Sequence, residues 1–146
     1  MIVGRVEMSP EPRGEPAPSV RAAGHARILV AEDHLDSRDA LRALLEAFGY
    51  EVVEAVNGRE AIHLAQAQAP DLILMDIMMP ELDGFEATRV LRRDPRTAGI
   101  PIIAVTAMEG AQQLAMQAGA SDYVRKPIEI RGLIAKVHNW LRIAQS

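Results

Sequence analysis

From Ile28 onward, short apolar runs alternate with segments of helical period, and no other feature of the chain constrains its fold as strongly. Such alternation is the mark of repeated βα units. Five strand candidates fall at residues 28–31, 51–55, 71–75, 100–105 and 121–125. The stretches 72–75 and 102–105 are continuously apolar, as central parallel strands covered on both faces must be.

Helical segments lie between them. Leu41, Leu44, Leu45 and Phe48 recur at helical spacing before Gly49, a stop signal. Asn57 can cap a second helix with Ile62 and Ala65 inward. A third starts near Gly84, with Ala87, Val90 and Leu91 on one side and Pro95 beyond its end. A shorter fourth carries Ala111, Leu114, Ala115 and Ala118 before Gly119; the last carries Ile130, Leu133, Ile134, Val137 and Leu141. Trp140 reads as a packing residue of that helix, without a functional role. Because parallel strands need right-handed crossovers, five βα units give an open α/β sheet with helices on both faces. Ligands then collect at the carboxyl ends of the strands.

The remaining composition narrows the function. A length of 146 residues suits one folded domain. Residues 1–26 hold four prolines and three glycines, with three acids balancing three arginines, and read as a disordered tail. The domain at 27–146 therefore keeps 13 basic against 17 acidic side chains and the whole net charge of -4. No Lys/Arg block is present to neutralise a run of phosphates, which argues against direct nucleic-acid binding. Apolar residues reach 49% but aromatics only 3%, so the core is aliphatic. The absence of Cys removes disulfides, thiolate nucleophiles and thiolate metal sites, and suits a reducing, cytoplasmic compartment. There is neither a signal-peptide h-region nor a long apolar span, which disfavours secretion and a membrane location.

At the predicted strand ends stand Glu32 and Asp33, then Asp76, then Thr106 and Ala107, then Lys126 and Pro127. Either acid pair member alone could simply serve the start of a helix, and Lys126 alone could be a solvated charge. Together, three carboxylates, a hydroxyl and an ammonium converge on one cleft. Acids so placed repel one another unless a cation intervenes; a hard divalent ion with oxygen ligands answers that need, and Mg²⁺ is the simplest choice. The four histidines show no metal-site pairing, and His34 reads as a solvated loop residue.

The ordered set Ala31-Glu32-Asp33, Met75-Asp76-Ile77-Met78-Met79-Pro80, Asp83-Gly84, Thr106-Ala107 and Lys126-Pro127 resembles the receiver domains of two-component response regulators, over residues 27 to about 143. The resemblance implies a flavodoxin-like five-stranded parallel sheet with five helices and strand order 2-1-3-4-5. It also implies that Asp76 takes a phosphoryl group from a histidine kinase or a histidine phosphotransfer protein. Mg²⁺ would be held by Asp33, Asp76 and the Met78 backbone carbonyl, with Glu32 acting through water. Thr106 and Lys126 would meet phosphoryl oxygens, Ala107 would leave them room, and a cis bond before Pro127 would aim Lys126 inward. Thr106 and Tyr123 would pass the change to a downstream protein target, although Tyr123 fits an ordinary strand aromatic equally well.

Two departures from the family pattern are visible. The interval from Thr106 to Lys126 is 20 residues, about two fewer than the resemblance implies, so the loop after strand four or helix four is shortened. Met78 and Met108 stand two residues after Asp76 and Thr106, where apolar side chains imply a long-lived phosphoryl state. A phosphatase using an aspartyl phosphate would need an acid at position 78, so the chain reads as a signalling protein and not an enzyme. A dinucleotide-binding module lacks its Gly-rich turn. A phosphorylation-independent interaction module is disfavoured by the complete Asp, Thr and Lys set. With helix five ending near the last residue, the chain reads as a stand-alone receiver, a fragment of a larger regulator or hybrid kinase being the alternative. Monomer and phosphorylation-dependent dimer both remain open.

Overall fold

The computed structural model describes residues 25–144, and the side chains of 25–143. Its elements run β1 (Arg27–Ala31), α1 (Leu35–Ala47), β2 (Glu51–Ala55), α2 (Gly58–Gln68), β3 (Leu72–Asp76), α3 (Gly84–Arg93), β4 (Ile102–Thr106), α4 (Ala111–Ala118), β5 (Asp122–Arg125) and α5 (Ile130–Ala144). All strand pairs are parallel, in the order β2-β1-β3-β4-β5.

The period-two geometry of the strands divides their side chains between two cores. Ile28, Val30, Leu72, Leu74, Ile103 and Val105 face α1 and α5, which contribute Leu41, Leu45, Leu133 and Val137. Leu29, Ala31, Ile73, Met75 and Ile102 face α2 and α3 through Ala61, Ala65, Ala87 and Leu91. β3 and β4 are buried along their full length, which is why they carry no polar residue until the last position. Asn57 caps α2 by accepting the Glu60 N–H at 2.8 Å, and Asp83 caps α3 from Glu86 at 2.9 Å. Beyond α1, the Tyr50 N–H returns to the Leu45 carbonyl and Gly49 ends the helix as its position predicts.

Several details differ from the sequence reading. Asp71 precedes β3, where it pairs with the start of β1: its carboxylate accepts the Arg27 N–H at 2.8 Å and its own N–H reaches the Arg27 carbonyl. Ile100 precedes β4, because Pro101 has no N–H to give a ladder. Asp76 and Thr106 are the last residues of their strands and do not follow them. Phe48, Leu114 and Ile130 are about half exposed, not core. α4 packs through the narrow stripe Ala111, Ala115 and Ala118, which leaves Leu114 at its rim. Ala26, assigned to the tail, is fully buried and its carbonyl accepts the Glu51 N–H. The predicted disorder of the tail otherwise lies outside the described residues. Between β4 and β5 the chain runs through a loop of four residues, 107–110, and an α4 of eight.

Candidate phosphoryl-acceptor site

Parallel register brings the carboxyl ends of β1, β3, β4 and β5 to one edge, and the polar residues that end or follow each apolar strand meet there. Asp76 is almost wholly buried, at 4% exposure. Its Oδ1 accepts the Met78 N–H at 3.2 Å and its Oδ2 lies 3.5 Å from the Lys126 Nζ. Lys126 also donates to Glu32 Oε1 at 3.0 Å, so one ammonium joins two acids from different strand ends, 94 and 50 residues before it in the chain. The Lys126–Pro127 peptide is cis, and the Lys126 N–H is held by the Thr106 carbonyl at 2.9 Å.

Electrostatics separates the two carboxylates. Burial, together with the negative charge of Glu32, pushes the Asp76 carboxyl up to about 6 even though Lys126 and the Met78 N–H oppose the rise. Burial also acts to raise Glu32, but the His34 N–H and Lys126 outweigh it and hold that carboxyl below its usual range. Lys126 loses from burial and gains more from its two partners, so its ammonium is retained more firmly than normal. The cleft is thus short of positive charge: a single ammonium serves both buried acids, with Asp33 beside them.

Asp33 supports that view. Its Oδ1 is shielded from solvent and has no hydrogen-bond partner, which is costly for an anionic oxygen and suits one that awaits a cation. Glu32, Asp33 and His34 bring one donor atom each within 4.8 Å of one another, and the chemistry of this set fits a divalent ion. His34 is 73% exposed, as a loop residue should be, but its Nδ1 faces both neighbouring acids. Its place beside Asp33 was the only sequence signal of this. Asp76 meets Glu32 through Lys126 and is not a member of that three-residue group.

Thr106 is fully buried, one residue beyond Val105, the register partner of Asp76. Its hydroxyl oxygen accepts the Met108 N–H at 3.0 Å, and the Tyr123 hydroxyl donates to the Met108 carbonyl at 3.5 Å. The Tyr123 ring is half-buried against the core of Ile77, Ala104, Ala115 and Ala120. Met108 therefore bridges Thr106 and Tyr123, a link invisible in sequence because it runs through backbone atoms. Met78 and Met108 also line, with Asp33 and Phe85, a hollow beside the acids.

Sequence reasoning also missed Arg38. It donates to the Glu32 carbonyl and to Glu54 Oε1, both at 3.0 Å, and so ties the turn after β1 to β2. An Arg four residues into a helix carries no distinguishing mark until the neighbouring strand is placed. Gly84, by contrast, was quoted as part of a motif and has a steric reason: a Cβ there would lie 2.4 Å from the Asp76 carbonyl oxygen.

Residues 28–138 match the family described as the response regulator receiver domain. The polar-differentiation response regulator DivK of Brucella anthropi is 40% identical over 116 residues, covering 78% of this chain and 94% of that protein. Protein PilH of Pseudomonas aeruginosa is 40% identical over 115 residues, covering 77% and 95%. Among solved structures, the receiver domain of a Pseudomonas aeruginosa sensor histidine kinase, with a magnesium ion coordinated in its active site cleft, superposes with a TM-score of 0.76. It is 35% identical, with 81% of this chain and 98% of that one covered. A putative response regulator from Chloroflexus aurantiacus gives 0.78 at 31% identity, over 81% and 98%. The fold, the strand-end acids and these likenesses agree: the chain belongs to the response regulator receiver family.

Proposed function

We propose that Asp76 is the phosphoryl acceptor of this receiver and that a phosphohistidine, on a histidine kinase or phosphotransfer protein, is the donor. The observation that carries this reading is the burial of the Asp76 carboxylate at the end of a central strand, joined by Lys126 to Glu32. An Asp76 carboxylate oxygen attacks phosphorus, the bond to the donor imidazole nitrogen breaks, and an acyl phosphate forms. The imidazole leaves with the electron pair of that bond. Positioning and charge neutralisation are what a protein contributes to such a transfer. Lys126 is placed to neutralise phosphoryl oxygens, and the buried Thr106 hydroxyl to donate to one.

Mg²⁺ would be held by Asp33, Asp76 and the Met78 carbonyl, with Glu32 through water; its charge would relieve the crowding of acids and offset that of the phosphoryl oxygens. The buried Asp33 oxygen that accepts no hydrogen bond supports this assignment.

A groove of roughly 360 Å³ opens beside Glu32 and Lys126, lined mainly by apolar side chains including Leu41, Leu44, Pro127, Ile128 and Ile130. A helix presenting the donor histidine fits it, with its apolar face on α1 and its imidazole toward the cleft. Output passes from Thr106 through Met108 to Tyr123 and reaches a protein target by docking, in the cytoplasm. Incubation with Mg²⁺ and acetyl phosphate tests the acceptor. Intact mass should rise by one labile phosphoryl group in the wild type and stay unchanged in Asp76→Asn; an adduct retained by the variant would refute the assignment.

A further inference from the structure

One donor atom in the cleft has no part in phosphoryl transfer: Nδ1 of His34. The residue stands at the N-cap of α1 with extended backbone, yet its side chain makes no capping hydrogen bond. Its N–H instead holds Glu32 Oε2 at 3.1 Å, which fixes the turn. The ring nitrogen then lies 3.3 Å from Glu32 Oε2 and 3.4 Å from Asp33 Oδ1. The contact to Glu32 is a hydrogen bond when Nδ1 carries the proton, with Glu32 acting on the ion through water. Two ligand bonds of about 2.1 Å that meet near a right angle set their donor atoms about 3 Å apart, so the spacing of Nδ1 from Asp33 Oδ1 suits a shared cation. Asp33 Oδ1 is the same buried oxygen that has no hydrogen-bond partner, although an imidazole nitrogen stands next to it. Glu32 has already committed Oε1 to Lys126, so its second oxygen is the one turned toward the ring.

We propose that His34 is a ligand of the divalent cation in this cleft, adding an imidazole nitrogen to the carboxylate oxygens and turning the site toward first-row transition-metal ions relative to Mg²⁺. The inference rests on the reading of the acidic cleft as a cation site. Its chemical basis is ligand preference: Mg²⁺ takes oxygen donors and keeps its waters, whereas imidazole nitrogen strengthens binding of Co²⁺, Ni²⁺ or Zn²⁺. The exposed imidazole can reach the ion from solvent without moving the two acids behind it.

Calorimetric titration of the full chain with Co²⁺ and with Mg²⁺, alongside the visible absorption of bound Co²⁺, tests this. His34→Ala removes the nitrogen, and His34→Asn removes it while leaving a side chain that caps α1 well. In both, the ratio of Co²⁺ to Mg²⁺ affinity should fall at least tenfold and the Co²⁺ absorption should change. A ratio that stays within threefold of wild type overturns the proposal. Asp33→Asn separates the two layers of the argument. If it weakens both ions while the His34 variants keep the wild-type ratio, the cleft binds cations and only the role of His34 falls. If it weakens neither, the ions bind elsewhere, and both the proposal and the cation-site reading are wrong.

Discussion

Asp76 and Glu32 share one ammonium, and the structure allots it unequally. Glu32 receives the short contact at 3.0 Å and Asp76 the long one at 3.5 Å. That asymmetry fits the opposite shifts of the two acids, Glu32 downward and Asp76 up to about 6. Without divalent ions, the Asp76 carboxyl carbon should titrate near pH 6 by NMR. Burial is the first cause of the rise and the Glu32 charge the second, so Glu32→Gln should move that midpoint down. Lys126→Met, which removes the opposing cation, should move it up. A midpoint that ignores both substitutions would mean that burial alone sets it.

At the scale of elements, α4 is held by side-chain hydrogen bonds at one end and has no side-chain cap at the other. The Arg92 side chain, from α3, donates to the carbonyls of Gly119 and Ile100 at 2.7 Å, to that of Ala98 at 3.0 Å, and to Ser121 Oγ at 3.1 Å. Ser121 Oγ accepts the Ile102 N–H as well, so a single guanidinium ties α3, the loop before β4 and the C-terminal end of α4. Gly119 is required at that junction: its φ is +116°, and a Cβ would lie 2.6 Å from Arg92 Cγ. The opposite end of α4 begins at Gly110 with no side-chain cap, beside the loop of Met108. Arg92→Met should strand several carbonyls and cost about 2–4 kcal/mol in urea unfolding. Amide exchange in the wild type should be faster over residues 111–114 than over 115–118. Uniform exchange along α4 would contradict this picture of a hinge at its N-terminal end.

The molecule as a whole is closed by α5, whose buried stripe covers the β1-β3-β4 face and whose polar side grips the edge strand. Asp122 of β5 accepts the Trp140 indole N–H at 2.8 Å and the Lys136 ammonium at 3.0 Å. Trp140, read from sequence as packing alone, therefore also anchors the helix to the sheet edge. Burial acts to raise the Asp122 carboxyl, but Trp140 and Lys136 outweigh it and hold it below the usual range. The unfolded chain thus takes up the proton at a higher pH than the folded one. Stabilisation by Asp122 is fully present above the unfolded value of about 4, and is lost as pH falls through the lower folded value. The stability gap between wild type and Asp122→Asn, from urea midpoints, should be widest near neutrality and should narrow toward pH 3. Trp140→Phe, which removes one hydrogen bond, should cost about 1 kcal/mol at neutral pH.

The sequence by itself determined the five βα units, the two-sided burial of β3 and β4, and the presence of acids, Thr and Lys at the strand ends, while the strand order came from the family resemblance. Those features are local: apolar runs, caps such as Asn57, stops such as Gly49, and side chains whose faces follow from a fixed period. Tertiary structure alone decided which polar atoms answer one another. Lys126 meets Glu32 across 94 residues of chain, Arg38 reaches the Glu32 carbonyl and Glu54, and Arg92 gathers carbonyls from two separate segments. It also exposed Leu114 and Ile130, which the helical period had turned inward, and set the His34 ring against two acids. The physical reason is one of range: hydrophobic period repeats within a segment and can be read there. Hydrogen bonds and charges act over a few ångströms between partners whose distance exists only once the sheet is assembled.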